Sequence, residues 1–167
     1  MLPHLDAAHN LARWLLRNEH DARDSVQEAY LRAFKAYAGF RGDNARAWLL
    51  TIVRNVCYTQ LRRSIAAVPL EDFDEAHHAP VNDTAEAAAR MRRELDHERV
   101  DAALASLPTE MREVIVLHEI EGLAYKEIAV VAGIPIGTVM SRLARARLKM
   151  QRALQQQLNA KDDYELQ

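Results

Sequence analysis

Apolar residues recur along this chain three and four positions apart, and no run of β-branched residues alternates with polar ones between turns. The pattern predicts helices throughout. A first block reads as helices from about Leu5 to Leu16, Asp21 to Tyr37 and Asp43 to Arg63, broken at NEHD and GFRGD. The stretch AAVPLEDFDEAHHAPVND then loses the period and carries Pro69 and Pro80, as a flexible linker would. Helix resumes near Asp83, where Asp-Thr-Ala-Glu resembles a capping box with Glu86 reaching back, and continues toward Ser106. Pro108 suits the first turn of a helix ending at Gly122. A short helix from about Tyr125 meets a turn at Gly133, and the last helix starts near Gly137.

Charge adds to this picture only when it is divided along the chain. The total is −2, yet residues 1–66 hold ten Lys and Arg against six Asp and Glu, and residues 99–158 hold eight against six. Residues 67–98 hold three against nine, and 159–167 one against three. Two weakly basic modules joined by an acidic connector suit a nucleic-acid binder better than the total does, because a phosphate feels the local field. The longest apolar run is far too short for the ~20 residues of a membrane span, and MLPHLDAAHN lacks the order of a signal peptide. No membrane insertion and a cytoplasmic location are expected. The one cysteine, Cys57, excludes an intramolecular disulfide and a thiolate cluster, and reads as a small half-buried hydrophobe. His77 and His78 lack a third ligand at helical spacing and read as solvent-facing. No metal or other cofactor is expected.

Three stretches carry candidate chemistry. AYKEIAVVAGIPIGTVMSRLARAR has the form of a helix-turn-helix. In its second helix Val139, Leu143, Ala146 and Met150 share a packing face, while Thr138, Ser141, Arg142, Arg145 and Lys149 share another. The N-terminal end of such a helix reaches base edges in the major groove, and later cations suit phosphates. A cationic surface helix complementing its own C-terminal dipole is the plainer alternative. Ala124 is an unusual N-cap for the helix before the turn. In DARDSVQEAYLRAFKAY, Val26, Ala29, Tyr30, Ala33 and Tyr37 form an apolar face, leaving Asp24, Gln27, Glu28, Leu31 and Lys35 on another. Leu31 among polar neighbours hints at a protein partner, though single exposed leucines are common. In NARAWLLTIVRNVCYTQLRR, burial of Trp48, Leu49, Ile52, Val53 and Val56 leaves Thr51, Asn55, Tyr58 and Arg62 as a stripe suited to hydrogen bonding, stacking and phosphate pairing. An amphipathic core helix with a mixed polar face would read the same way.

Taken together, DARDSVQEAYLRAFKAYAGFRGDNARAWLLTIVRNVCYTQLRR followed by LASLPTEMREVIVLHEIEGLAYKEIAVVAGIPIGTVMSRLARARLKM resembles an extracytoplasmic-function (ECF) sigma factor of bacterial RNA polymerase. The resemblance implies that Asp24, Gln27, Glu28 and Leu31 grip the clamp helices of core RNA polymerase. It implies that the loop from Phe40 to Arg46, with Arg41 and Asn44, and the helix carrying Asn55, Tyr58 and Arg62 recognise and melt the −10 element of promoter DNA. Thr138, Ser141, Arg142, Arg145 and Lys149 would read the −35 element. Members often carry an aromatic residue in the loop before the tryptophan. Here that loop reads Asp43, Asn44, Ala45, Arg46, which leaves open the side chain that takes a flipped base. The acidic linker would thread toward the polymerase cleft, or serve only as a solvated tether.

The expectation is therefore an all-α protein of two small helical domains, 1–66 and 99–158, joined by an acidic linker and lead-in helix, 67–98, with an acidic tail, 159–167. It would bind core polymerase and promoter DNA, with an anti-sigma factor as an open further partner, and would not be an enzyme. No Ser/His/Asp arrangement, phosphate-cradling loop or metal cluster is visible in the sequence. Two rivals are a helix-turn-helix regulator that needs no polymerase and a sigma-like decoy that only captures an anti-sigma factor.

Overall fold

The computed structural model describes residues 2–66 and 84–165. After a 3-10 turn, Leu2–His4, come α1 (Leu5–Leu16), α2 (Glu19–Ala36), a second 3-10 turn (Tyr37–Gly39) and α3 (Ala45–Ala66). Then follow α4 (Thr84–Ser106), α5 (Thr109–Ile115), α6 (Tyr125–Ala132) and α7 (Ile136–Glu165), with a π-helical turn, Val116–Ile120, continuing α5. No strand occurs among the described residues. The linker residues 67–83, with Pro69, Pro80, His77, His78 and the Asp83 of the expected capping box, lie outside them.

Local chemistry sets the boundaries. Arg17 takes the left-handed conformation (φ 55°) and its N–H returns to the Arg13 carbonyl at 2.8 Å, ending α1. Asn18 Oδ1 then accepts the Asp21 N–H at 2.9 Å, so α2 begins at Glu19, two residues before the expected start. Asn44 Oδ1 accepts the Ala47 N–H at 2.9 Å and caps α3 in the same way. Pro108 sits just before α5, where its missing N–H costs nothing, and its carbonyl accepts from Arg112 N at 2.9 Å. The helix α4 passes residue 98 without a break, and α7 passes residue 158, so both expected domain edges there fall inside helices.

Leu11 and Leu15 of α1, Ala22, Val26, Ala29 and Ala33 of α2, and Leu49, Leu50, Val53, Val56 and Cys57 of α3 build a three-helix core. The alanines of α2 let its neighbours approach closely. In the second half Leu104, Val114, Leu117, Leu123, Ile128, Val131, Val139 and Leu143 form the interior. The two interiors are one cluster, because α1 packs on α5 and the π-helical turn, and α3 on α6. Lying between two layers, α3 carries apolar residues on more than one face. This explains a difference from expectation: Trp48 and Ile52 are only half-buried, while Leu50 and Cys57 are fully enclosed. Burial, with a smaller push from the Glu113 charge and against a hydrogen bond with Ser25, raises the Cys57 thiol to about 12. Tyr37, expected on the packed face, is 58% exposed, because α2 ends at Ala36 and the 3-10 turn rotates the ring away.

Arg112 fastens the halves from within. Its buried guanidinium donates to the carbonyls of Leu104 (3.0 Å), Ala105 (3.3 Å) and Leu107 (2.9 Å) at the end of α4, and to that of Trp14 in α1 (2.8 Å). A cation facing a helix C-terminus is favourably placed, and these carbonyls replace the water it loses. Among the described residues no single helix is long and apolar enough to cross a membrane.

Candidate nucleic-acid and protein interfaces

On α2, Asp24, Gln27, Glu28 and Leu31 all face solvent. Two carboxylates are held by neighbours one turn away: Glu28 by Arg32 at 2.8 Å and Asp24 by His20 at 3.3 Å. Leu31 is 54% exposed, and Phe34, which the sequence reading passed over, is 76% exposed. With Tyr37 they make an apolar stripe at three-residue spacing. That spacing is visible in the sequence, but Phe34 has too many apolar neighbours to stand out as exposed.

The candidates around α3 divide into two groups. Arg41, Asn55 and Arg62 are exposed. Phe40 is half-buried and tilts against Trp48 with centroids 4.6 Å apart. At Gly42 a Cβ would stand 3.0 Å from the Phe40 ring, so a side chain there would require the ring to shift by a few tenths of an ångström. Asn44, Arg46 and Tyr58, by contrast, are engaged by the second half. Asn44 Nδ2 donates to Glu127 Oε2 at 2.7 Å. Arg46 donates to the Glu121 carbonyl and to its Oε2 at 3.1 Å, while Asn10 holds Glu121 Oε1 at 2.9 Å. Tyr58 donates to Glu113 Oε2 at 2.9 Å, and its ring lies 4.2 Å from the guanidinium of Arg54, which is itself paired with Glu113. Thr51 is spent on a bond to the Ala47 carbonyl at 2.7 Å.

Electrostatics follow from this burial. Glu113 has no exposed surface, and desolvation pushes its carboxyl above the ordinary value against the opposing pull of Arg54 and Tyr58. The Tyr58 hydroxyl is pushed up by desolvation and then by the Glu113 charge. The Ala124 N–H and then Asn44 hold the Glu127 carboxyl below its usual range. None of these glutamates, nor Arg54, is marked as a partner by sequence, since the contacts join positions 55 to 83 residues apart.

The helix-turn-helix comprises α6, a turn at Gly133 (φ 66°), and α7. Glu127 Oε1 accepts the Ala124 N–H at 3.0 Å, which supplies the stabilisation that Ala124 itself lacks. Val139, Leu143 and Ala146 are buried as expected, and Met150 is half-buried. Ser141, Arg145 and Lys149 are exposed and Thr138 is half-buried. Arg142 departs from this face: its side chain is 18% exposed and lies 3.5 Å from Glu110 of α5. Ile136 and Met140, in the first two turns of α7, are 40% and 49% exposed and were not singled out from sequence. Among the described residues no group of three or more His, Cys, Asp or Glu could hold a metal ion.

The chain matches the family model Sigma-70 region 2 over residues 2–65 and Sigma-70 region 4 over residues 97–150. It is 35% identical over 151 residues to the ECF RNA polymerase sigma factor SigE of Mycolicibacterium smegmatis, covering 88% of this chain and 57% of that longer relative. It is 36% identical to the RNA polymerase sigma-H factor of Pseudomonas aeruginosa, covering 88% of this chain and 81% of the relative. The ECF RNA polymerase sigma-E factor of Haemophilus influenzae is 34% identical over 87% of this chain and 79% of its own length. The structure of the sigma factor RpoE from Bartonella quintana, in complex with the anti-sigma factor NepR, superposes with a TM-score of 0.74 at 32% identity, covering 92% of this chain and 93% of that one. With both regions present in order and a third of residues shared across nearly the whole chain, this protein belongs to the ECF sigma factors of bacterial RNA polymerase.

Proposed function

We propose that this chain binds core RNA polymerase, directs it to a subset of promoters and assists opening of the DNA. The observation that carries the reading is the presence, in one chain and in this order, of sigma regions 2 and 4. In this reading residues 1–66 bind the polymerase through Asp24, Gln27, Glu28 and Leu31, with Phe34 extending the contact. The same half meets the −10 element through Phe40, Arg41, Asn44, Arg46, Asn55, Tyr58 and Arg62. Residues 99–158 meet the −35 element through Thr138, Ser141, Arg145 and Lys149, with Arg142 joining once it leaves Glu110. The polynucleotide chemistry belongs to the polymerase, and this chain supplies recognition in the cytoplasm where that polymerase works.

An exposed Leu-Phe-Tyr stripe beside carboxylates suits a protein surface, whereas donors and cations on α3 and α7 suit phosphates and base edges. Capturing an unstacked base costs a few kcal/mol, which contacts in the α3 loop must offset. An anti-sigma factor is a further partner class, as the similar Bartonella sigma factor is held by one. The test is run-off transcription from genomic fragments with core polymerase, with and without this protein. Specific transcripts that require both components are the expected result. Tight sequence-specific binding by the isolated chain, with no gain from polymerase, would favour a simple regulator, and anti-sigma binding without transcription would favour a decoy.

A further inference from the structure

The first three turns of α7 expose two neighbouring rows of side chains, each made of residues four positions apart. Gly137, Ser141 and Arg145 form one row, which carries polar groups assigned to the −35 element. Ile136, Met140 and Ala144 form the other, which is wholly apolar; all three are exposed, Met140 by 49%. Neither row belongs to the interior of the helix-turn-helix, where Val139, Leu143 and Ala146 are buried. We propose that Met140, with Ile136 and Ala144 along the same ridge, selects thymine in the −35 element by packing against its C5 methyl group. The inference rests on the promoter-reading role proposed above for α7, and it names the base that this additional residue specifies.

The base edges set what an apolar side chain can read. In the major groove they offer ring nitrogens, carbonyl oxygens, amino groups and one methyl, that of thymine. A thioether is at best a weak acceptor, so against adenine or guanine it covers polar atoms without replacing their water, and cytosine lacks the methyl. Against thymine it removes apolar surface from water on both partners. The polar groups in the neighbouring turns are already partly used. Ser141 donates to the Thr138 carbonyl at 3.1 Å, Arg145 Nε donates to the Ser141 carbonyl at 3.3 Å, and Arg142 lies 3.5 Å from Glu110. Selectivity at the entry of α7 therefore falls to the apolar row, while the terminal nitrogens of Arg145 remain for guanine or phosphate. Ile136 and Met140 are separated by about 6 Å of helix rise, about two base-pair steps, so they meet neighbouring positions of one site. The three rotatable bonds of Met140 let its tip follow a methyl on either strand.

Duplexes with a randomised segment are selected by the full chain, alone and with core polymerase, and each enriched thymine is then replaced by deoxyuridine, which lacks only the C5 methyl. Burying one such group is worth about fourfold in affinity. At least one thymine should therefore exist whose replacement weakens wild-type binding about fourfold. Met140→Gln, which matches methionine in length, should bring the thymine-to-deoxyuridine ratio at that position to about one. The control Val130→Gln replaces an apolar residue of α6 that is 65% exposed, and it should keep the wild-type ratio. No enriched thymine, or indifference of the wild type to deoxyuridine at every one, would overturn the proposal. So would a ratio that persists in Met140→Gln or vanishes equally in Val130→Gln.

The wild-type comparison alters no residue, so it decides even if Met140→Gln failed to fold. Run-off transcription separates this inference from the function it rests on. Specific transcripts together with indifference to deoxyuridine remove the methyl contact and leave the sigma function. Deoxyuridine sensitivity that Met140→Gln abolishes, without any polymerase-dependent transcript, leaves Met140 a reader of thymine and removes the promoter-directing role.

Discussion

Replacing Glu113 with alanine should be among the most damaging single changes in this chain. The carboxylate has no exposed surface and accepts from Arg54 and Tyr58, so its removal leaves a guanidinium and a phenol without their partner inside an interface. Breaking a buried ion pair from one side costs about 3–5 kcal/mol. The Arg54 side chain retains 18% exposure, so water can reach part of it and the lower end, about 3 kcal/mol, is expected. For a chain of this size that lowers the melting temperature by about 6–12 °C. Separation of the halves can relieve the strain, so part of the loss should appear as opening. Both tryptophans, Trp14 and Trp48, lie in the first half. Tryptophan fluorescence therefore follows that half while far-UV circular dichroism follows all the helices. In urea titrations the two signals should coincide for the wild type and separate for Glu113→Ala. A double-mutant cycle with Arg54→Ala should fall short of additivity by about 2 kcal/mol. A loss under about 0.5 kcal/mol with additive singles would show that the Arg54–Glu113 pair does not form in solution, and the reasoning would fail.

Glu113→Gln supplies the pH dependence. The native carboxyl titrates above its ordinary value because of burial, so its contribution to stability is complete below the unfolded value and is lost as pH rises through the native one. The glutamine variant should therefore gain on the wild type as pH rises above the ordinary glutamate value of about 4.3, in melts run at increasing pH; a constant difference would contradict the direction assigned. Val26→Ala should cost about 2 kcal/mol by losing two buried methyl groups and leaving a cavity, whereas Leu31→Ala should stay within about 0.5 kcal/mol and instead weaken capture of core polymerase. Equal melting shifts for the two would overturn the face assignment on α2. The Cys57 thiol, raised from an ordinary 9.0 to about 12 and without exposed surface, should react with iodoacetamide at pH 8 about a thousandfold more slowly than in urea. Arg145→Ala should flatten preference among −35 variants, while Lys149→Ala should weaken all of them alike and reduce the salt slope by about one, measured by holoenzyme binding at several salt concentrations. Arg142→Ala should change that preference less, since Arg142 lies against Glu110.

Near neighbours in the chain were enough to establish the helices and most of their faces. The run Val26, Ala29, Ala33 declared the inner side of α2, and Val139, Leu143, Ala146 that of α7, because helical periodicity depends only on positions three or four apart. The turn glycine of the helix-turn-helix was legible for the same reason, and so was the exposure of Leu31. The sequence also placed a polar stripe on α3, but it could not say which members would be free. Tyr58, Asn44 and Arg46 became engaged, and Arg142 left its face, because carboxylates more than thirty residues away folded against them. The enclosure of Leu50 and Cys57 likewise belongs to a helix that packs on α1, α2 and α6 at once, which no local pattern along α3 announces. A local pattern specifies what a residue can do. Whether its donors face water, nucleic acid or a glutamate depends on long-range packing, whose pairwise choices leave no periodic trace along the chain.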